Sequence, residues 1–185
     1  MGVTTQIQIA TGAGPSLTSI DGGTFTFNRA DSATDTTTPI PIPTSTGNKH
    51  SWLKYVLLAN TTTGSTTISN LRIATSGALP TGLKIYYVGQ STYTQANTTQ
   101  GGAGGNYPPD DSNAAGTQPT NITWTGAVTT SPAVYDATGG STGSTGRIGK
   151  YCQLVAQVGS NYDSSANVDL AHTALSNVQI LYDEA

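Results

Sequence analysis

The chain has 185 residues, a formal net charge of -3 and only 9% charged residues; that length suits one domain with a sizeable core, and such scarce charge is foreign to disordered chains, which stay solvated through it. Seven Lys and Arg against ten Asp and Glu leave no basic stripe of the kind that non-specific nucleic-acid binding needs. No stretch approaches the ~20 apolar residues of a membrane-spanning helix, so neither nucleic acid nor membrane is an expected partner.

The polar content is Thr, Ser, Asn and Gly, residues of strands and turns rather than helix interiors. Residues 3 to 9 alternate, with Val3, Thr5, Ile7 and Ile9 on one face, the period of a half-buried strand. The same alternation argues against the continuous apolar run of a signal peptide, so synthesis in a cytoplasm is expected. Phe25 and Phe27 repeat the pattern after the turn-forming Asp21-Gly22-Gly23, and Pro39-Ile40-Pro41-Ile42-Pro43 then reads as an edge or connector, because proline donates no backbone hydrogen bond.

Residues 52 to 59 are apolar at nearly every position except Lys54, as in a central strand covered on both faces. A Thr/Gly turn leads to a strand over residues 68 to 74, and Leu79-Pro80-Thr81-Gly82 turns the chain into another over 83 to 88; the three are expected to form a meander. A long loop over about residues 89 to 120 follows, rich in Gly, Asn, Gln, Thr and Pro, with the length of loops that are functional or mobile. Strand character resumes at Ile122 to Trp124 and near Val134-Tyr135, and residues 139 to 146 read as a flexible low-complexity loop. Over residues 150 to 158, Cys152, Leu154, Ala156 and Val158 share one face and Tyr151, Gln153, Val155 and Gln157 the other. A last strand places Val178, Ile180 and Tyr182 inward. About eight strands separated by turns predict one all-β domain over 1–185, an antiparallel β-sandwich or jelly roll with long Gly/Ser/Thr-rich loops and an N-terminal strand and extended arm over about 1–45.

Searching the chain for reactive groups yields little. Gly139-Gly140-Ser141-Thr142-Gly143 matches the spelling of a nucleophile elbow but lacks the preceding strand and following helix that would expose the serine. His50 and His172 show no metal-ligand spacing and read as surface or loop residues. Asp110-Asp111 could contribute to a calcium site, though no spaced acidic loop accompanies them. The lone Cys152 reads as a buried small hydrophobe. Asn60, Asn97 and Asn121 begin glycosylation triplets of the kind that an Asn- and Thr-rich chain produces by chance. Tyr86, Tyr87, Tyr93, Tyr107 and Trp124 could stack on sugar rings, and of these Tyr93 and Tyr107 are the expected outward loop contacts to a glycan. No catalytic residue, cofactor or metal is expected.

Four segments carry a resemblance: Pro39-Ile40-Pro41-Ile42-Pro43, Lys49-His50-Ser51-Trp52-Leu53-Lys54-Tyr55, Ile68-Ser69-Asn70-Leu71-Arg72-Ile73, and Val178-Gln179-Ile180-Leu181-Tyr182-Asp183-Glu184. The chain resembles small structural proteins of tailed bacteriophages, in which an extended proline segment feeds a Trp-containing central strand and the chain closes on an acidic tail. The resemblance implies a virion component and no enzyme; the expectation is a capsid decoration protein that binds the major capsid protein and copies of itself, most simply as a trimer. A tail, baseplate or fibre protein and a carbohydrate-binding or adhesin module are the alternatives. A decorating protein needs a β core and a repeated interface rather than reactive groups. Val3, Ile7, Ile9, Ile40 and Ile42 are the expected assembly contacts, on the argument that a terminal strand can add to a neighbour's sheet edge.

Overall fold

The computed structural model describes residues 4–21, 25–35, 37–40, 42–43, 48–96, 123–162 and 178–185. These residues form eleven strands in two antiparallel sheets and no helix, a β-sandwich. Thr and β-branched residues at strand positions, with Gly, Asn and Ser between them, account for the class.

The larger, seven-stranded sheet follows the order β2-β1-β4-β10-β6-β7, with the short β3 paired to the far end of β10. Its strands are β1 (Thr5–Thr11), β2 (Ser16–Ser19), β3 (Asn48–His50), β4 (Lys54–Asn60), β6 (Leu83–Gln90), β7 (Gly126–Ala127) and β10 (Gly146–Gly159). The four-stranded sheet runs β11-β5-β8, with β9 also on β5, from β5 (Thr67–Thr75), β8 (Ala133–Asp136), β9 (Gly140–Ser141) and β11 (Val178–Glu184). The strand read over residues 52 to 59 is β4; all seven of its residues are buried, between β1 and β10 in the larger sheet.

Strand β10 joins the halves of that sheet, with Leu154 opposite both Lys54 of β4 and Tyr87 of β6. Its Cys152, Leu154, Ala156 and Val158 enter the core between the sheets, with Val56 and Leu58 of β4, Ile85 of β6, and Ile68, Leu71 and Ile73 of β5. The register of β10 against β4 shifts between Ile148 and Cys152. Gly149 allows it: its φ is +66°, and a Cβ there would stand 2.4 Å from an Asp136 carboxylate oxygen. That carboxylate accepts the Lys150 amide at 2.8 Å, so the small sheet holds the bulge of the large one.

Several expectations change. Residues 52 to 59, 68 to 74 and 83 to 88 do not form a meander, because β5 leaves for the second sheet and β10 comes between β4 and β6. Phe25 and Phe27 are core residues, 5.3 Å apart between ring centroids, but belong to no strand. Residues 139 to 146 are no flexible loop: they contain β9 and the fully buried Thr142, whose hydroxyl donates to the Thr66 carbonyl at 2.8 Å and whose amide donates to the same oxygen at 3.0 Å. The N-terminal strand of the expected arm pairs within the chain's own sheet. Ile9 is fully buried and β1 lies between β2 and β4, because apolar alternation rewards pairing within the chain's own core.

Candidate functional site

The outer face of the larger sheet is covered as well. Tyr55 and Leu57 of β4, Tyr86 of β6 and Val155 of β10 form a second apolar cluster with Leu53, Ala96 and Trp124, with Tyr93 and Tyr151 packed against it. The long loop is therefore anchored at its described flanks, Tyr93 and Ala96 on one side and Trp124 on the other. Tyr93 meets Tyr55 edge-on at 5.0 Å and Tyr151 at 6.1 Å between centroids, and the Arg147 guanidinium lies 4.3 Å above the Tyr151 ring, a cation–π contact. Burial, then Asp31 and the neighbouring tyrosines, push the Tyr93 phenol far above its usual range.

The most unusual chemistry lies where the loop 28–35 folds over the first residue of β4. Lys54 is only 2% exposed, and Asn28 is fully buried. By the two-residue alternation of a strand, Lys54 shares the face of Val56 and Leu58, so its side chain runs inward. An unpaired ammonium cannot be buried, and the loop supplies its partners: Nζ donates to Asn28 Oδ1 at 2.5 Å, Ala30 O at 2.6 Å and Ser32 O at 2.9 Å. Burial nonetheless pushes the Lys54 ammonium down to about 7, with Asp31 and Asp35 pulling the other way.

The loop is built to hold that arrangement. Asn28 Oδ1 also accepts the Ala30 amide at 3.1 Å, an Asx turn, while its Nδ2 donates to Thr26 Oγ1 at 2.9 Å and Asp35 O at 2.8 Å. Backbone bonds tie Arg29 N to Thr38 O and Trp52 N to Asn28 O. Asp31 accepts the Gly12 amide and the Gln95 Nε2, each at 2.8 Å, and so joins the β1–β2 turn to the flank of the long loop. Hydrogen bonds from Thr37 and Thr38 hold the Asp35 carboxyl below its usual range.

The residues singled out from sequence distribute differently. Of the expected assembly contacts, Ile9 and Ile40 are core residues of this chain, and Ile7 and Ile42, half-buried, pack against that core. Val3, Tyr107, His172, Asp110, Asp111, Asn97 and Asn121 lie outside the described residues. Tyr93, half-buried, packs into the tyrosine cluster, and Tyr86, Tyr87 and Trp124 are buried, so those three offer no sugar platform. His50 is fully buried rather than on the surface; it pairs opposite Gln157, with their side-chain nitrogens 3.0 Å apart. Asn60 is buried and donates to the Thr142 and Ser144 carbonyls, each at 3.0 Å. Ser141 Oγ accepts the Gly143 amide at 3.1 Å. Cys152 is fully buried, as its strand position implied. No group of three or more metal-ligating side chains occurs among the described residues.

Lys54 stood out in sequence only as the polar exception in an apolar strand. Asn28, Asp31 and Ser32 gave no signal, since their partner is more than twenty positions away. No protein-family model, curated protein or solved structure matches the chain.

Proposed function

We propose that this chain is a non-enzymatic structural component of a tailed-bacteriophage virion, a head decoration protein that binds the major capsid protein as a homotrimer. The observation that carries the reading is the free edge of the larger sheet. All four residues of β2 are exposed, its outer side has no neighbour among the described strands, and among the described residues Leu17 is one of two large exposed hydrophobic residues, the other being Val134 of the edge strand β8. Ser16-Leu17-Thr18-Ser19 carries neither charge nor proline, the devices by which edge strands avoid pairing. Backbone pairing there would bind a neighbouring copy or a shell protein, a role first expected of Val3 to Ile9.

The disposition of the resembling segments gives further support. The Ile68-to-Ile73 and Val178-to-Glu184 segments are adjacent strands. They are clasped by Asn70 Nδ2 donating to Asp183 at 2.8 Å and by an Arg72–Asp183 ion pair. The proline segment seats Ile40 in the core just before the central strands. Buried polar groups such as Asn60, Thr142 and Asp136 serve the fold through hydrogen bonds.

The test is the particle itself. Particles made without this chain should lose a surface density on the head and withstand heat less well, and added protein should restore both. Leu17→Lys should fold normally, since the side chain is solvent-facing, yet fail to restore the density. Density lost from the tail would move the chain there, and intact particles together with retention of the protein on a glycan column would favour the carbohydrate-binding alternative.

A further inference from the structure

Lys54 Nζ lies 2.5 Å from Asn28 Oδ1, closer than the usual N–H···O range of roughly 2.7–3.2 Å. The amide carbon, one C=O bond of about 1.23 Å from that oxygen, can therefore be no farther than about 3.7 Å from Nζ, close to the roughly 3–3.5 Å separation from which bonds form. Both side chains are shielded from water, so hydrolysis of the carboxamide does not compete.

We propose that Lys54 and Asn28 become joined by an intramolecular amide bond, with Lys54 Nζ displacing Asn28 Nδ2 as ammonia. The cage explains how the amine is aimed. As an ammonium, Nζ gives its three hydrogens to Asn28 Oδ1, Ala30 O and Ser32 O. After one proton leaves to solvent, the two backbone carbonyls retain the remaining hydrogens and the lone pair is left facing the Asn28 carboxamide. It is repelled by Oδ1 and attracted by Cγ. Burial, which pushes the ammonium down to about 7, makes the neutral amine accessible at ordinary pH.

The electron and proton count closes without a co-reactant. Nζ attacks Cγ, and the C=O π pair moves to Oδ1, where the Ala30 amide, already donating at 3.1 Å, stabilises the negative charge as an oxyanion-hole donor does. One Nζ hydrogen passes to Nδ2; both nitrogens lie on the same Ser32 carbonyl, at 2.9 and 3.4 Å. The π pair returns, the Cγ–Nδ2 bond breaks, and ammonia departs and takes up a proton from water. One C–N bond forms and one breaks, and a buried cation is replaced by a neutral amide. The cross-link would clamp the loop 28–35 to the central strand of the larger sheet, and it stands whether or not the chain decorates a capsid.

Intact mass of the purified full-length chain under denaturing conditions decides the matter, after incubation at a pH above the value of about 7 held by the amine. The wild-type protein should be lighter than its sequence by one ammonia. Tryptic digestion should yield the peptide ending at Arg29 joined to residues 50–72, uncleaved at Lys54. Lys54→Met should keep the full sequence mass. Asn28→Asp should lose one water instead and converge on the same cross-linked product. A wild-type chain at its full sequence mass, or ammonia lost with the two peptides unlinked, overturns the proposal, and neither reading depends on a variant that folds.

Discussion

Replacing Gly139 with alanine tests whether the Gly/Ser/Thr run is a specified structure or filler. Gly139 has φ +64°, and a Cβ there would fall 1.8 Å from the Ile68 carbonyl oxygen and 2.8 Å from Ser69 Cα. The obstacles are backbone atoms of β5, so no side-chain rotation relieves the clash. The left-handed conformation alone costs an alanine roughly 1–2 kcal/mol. Moving the loop away gives up the β9 pairing of Ser141 with Thr67 and Gly140 with Ile68 and strains the bonds between Thr142 and Thr66. Two net hydrogen bonds at about 1 kcal/mol each bring the total to about 3–4 kcal/mol. For a chain of this size each kcal/mol lowers the melting temperature by about 2–4 °C, so Gly139→Ala should melt about 6–16 °C below wild type. Gly143→Ala is the internal control: its nearest contact would be Ser141 Oγ at 3.4 Å, and its cost should stay within about 0.5 kcal/mol. If the two variants melt together in calorimetry, the loop is not held as described.

Leu57→Asp places a carboxylate at a fully buried position in the outer-face cluster; a loss of several kcal/mol, on the order of 3–5, should leave the protein unfolded or barely folded by circular dichroism, and a wild-type melt would show the strand to be misplaced. Cys152 is fully buried and its thiol is pushed well above the usual range by that burial, so a maleimide should label it only in denaturant. Rapid labelling of the native protein would mean that β10 is not covered as described.

What the sequence made legible was the part written in alternation. Strand β4 declared itself because its residues are apolar on both faces, and β1 and β10 because their apolar residues recur at every second position. Sheet membership was not legible: β4, β5 and β6 follow one another in the chain, and local pattern says nothing about β5 crossing to the second sheet while β10, far away in sequence, fills the gap between its neighbours. Nor could alternation show that β10 is covered on both faces, because the residues concerned include Gln153 and Gln157. They are buried with partners of their own, Gln153 donating to the Tyr55 hydroxyl at 3.0 Å and Gln157 lying against His50.

The same limit explains both halves of the Lys54 cluster. A lysine in an apolar strand obliges the fold to provide acceptors, and that much follows from the cost of burying a charge. Which acceptors is a question of chain return. The loop 28–35 reads as an ordinary Asn/Ser/Asp turn, and its carbonyls become a cation cage only because Phe27 on one side and Ile40 on the other are drawn into the core, bringing the loop over the end of β4. Polar residues that organise a loop and polar residues that surround a reactive amine have the same local spelling, and the core behind them separates the two cases. Buried polar exceptions in apolar strands are therefore where a chain with few charges and no recognisable motif is best searched for chemistry.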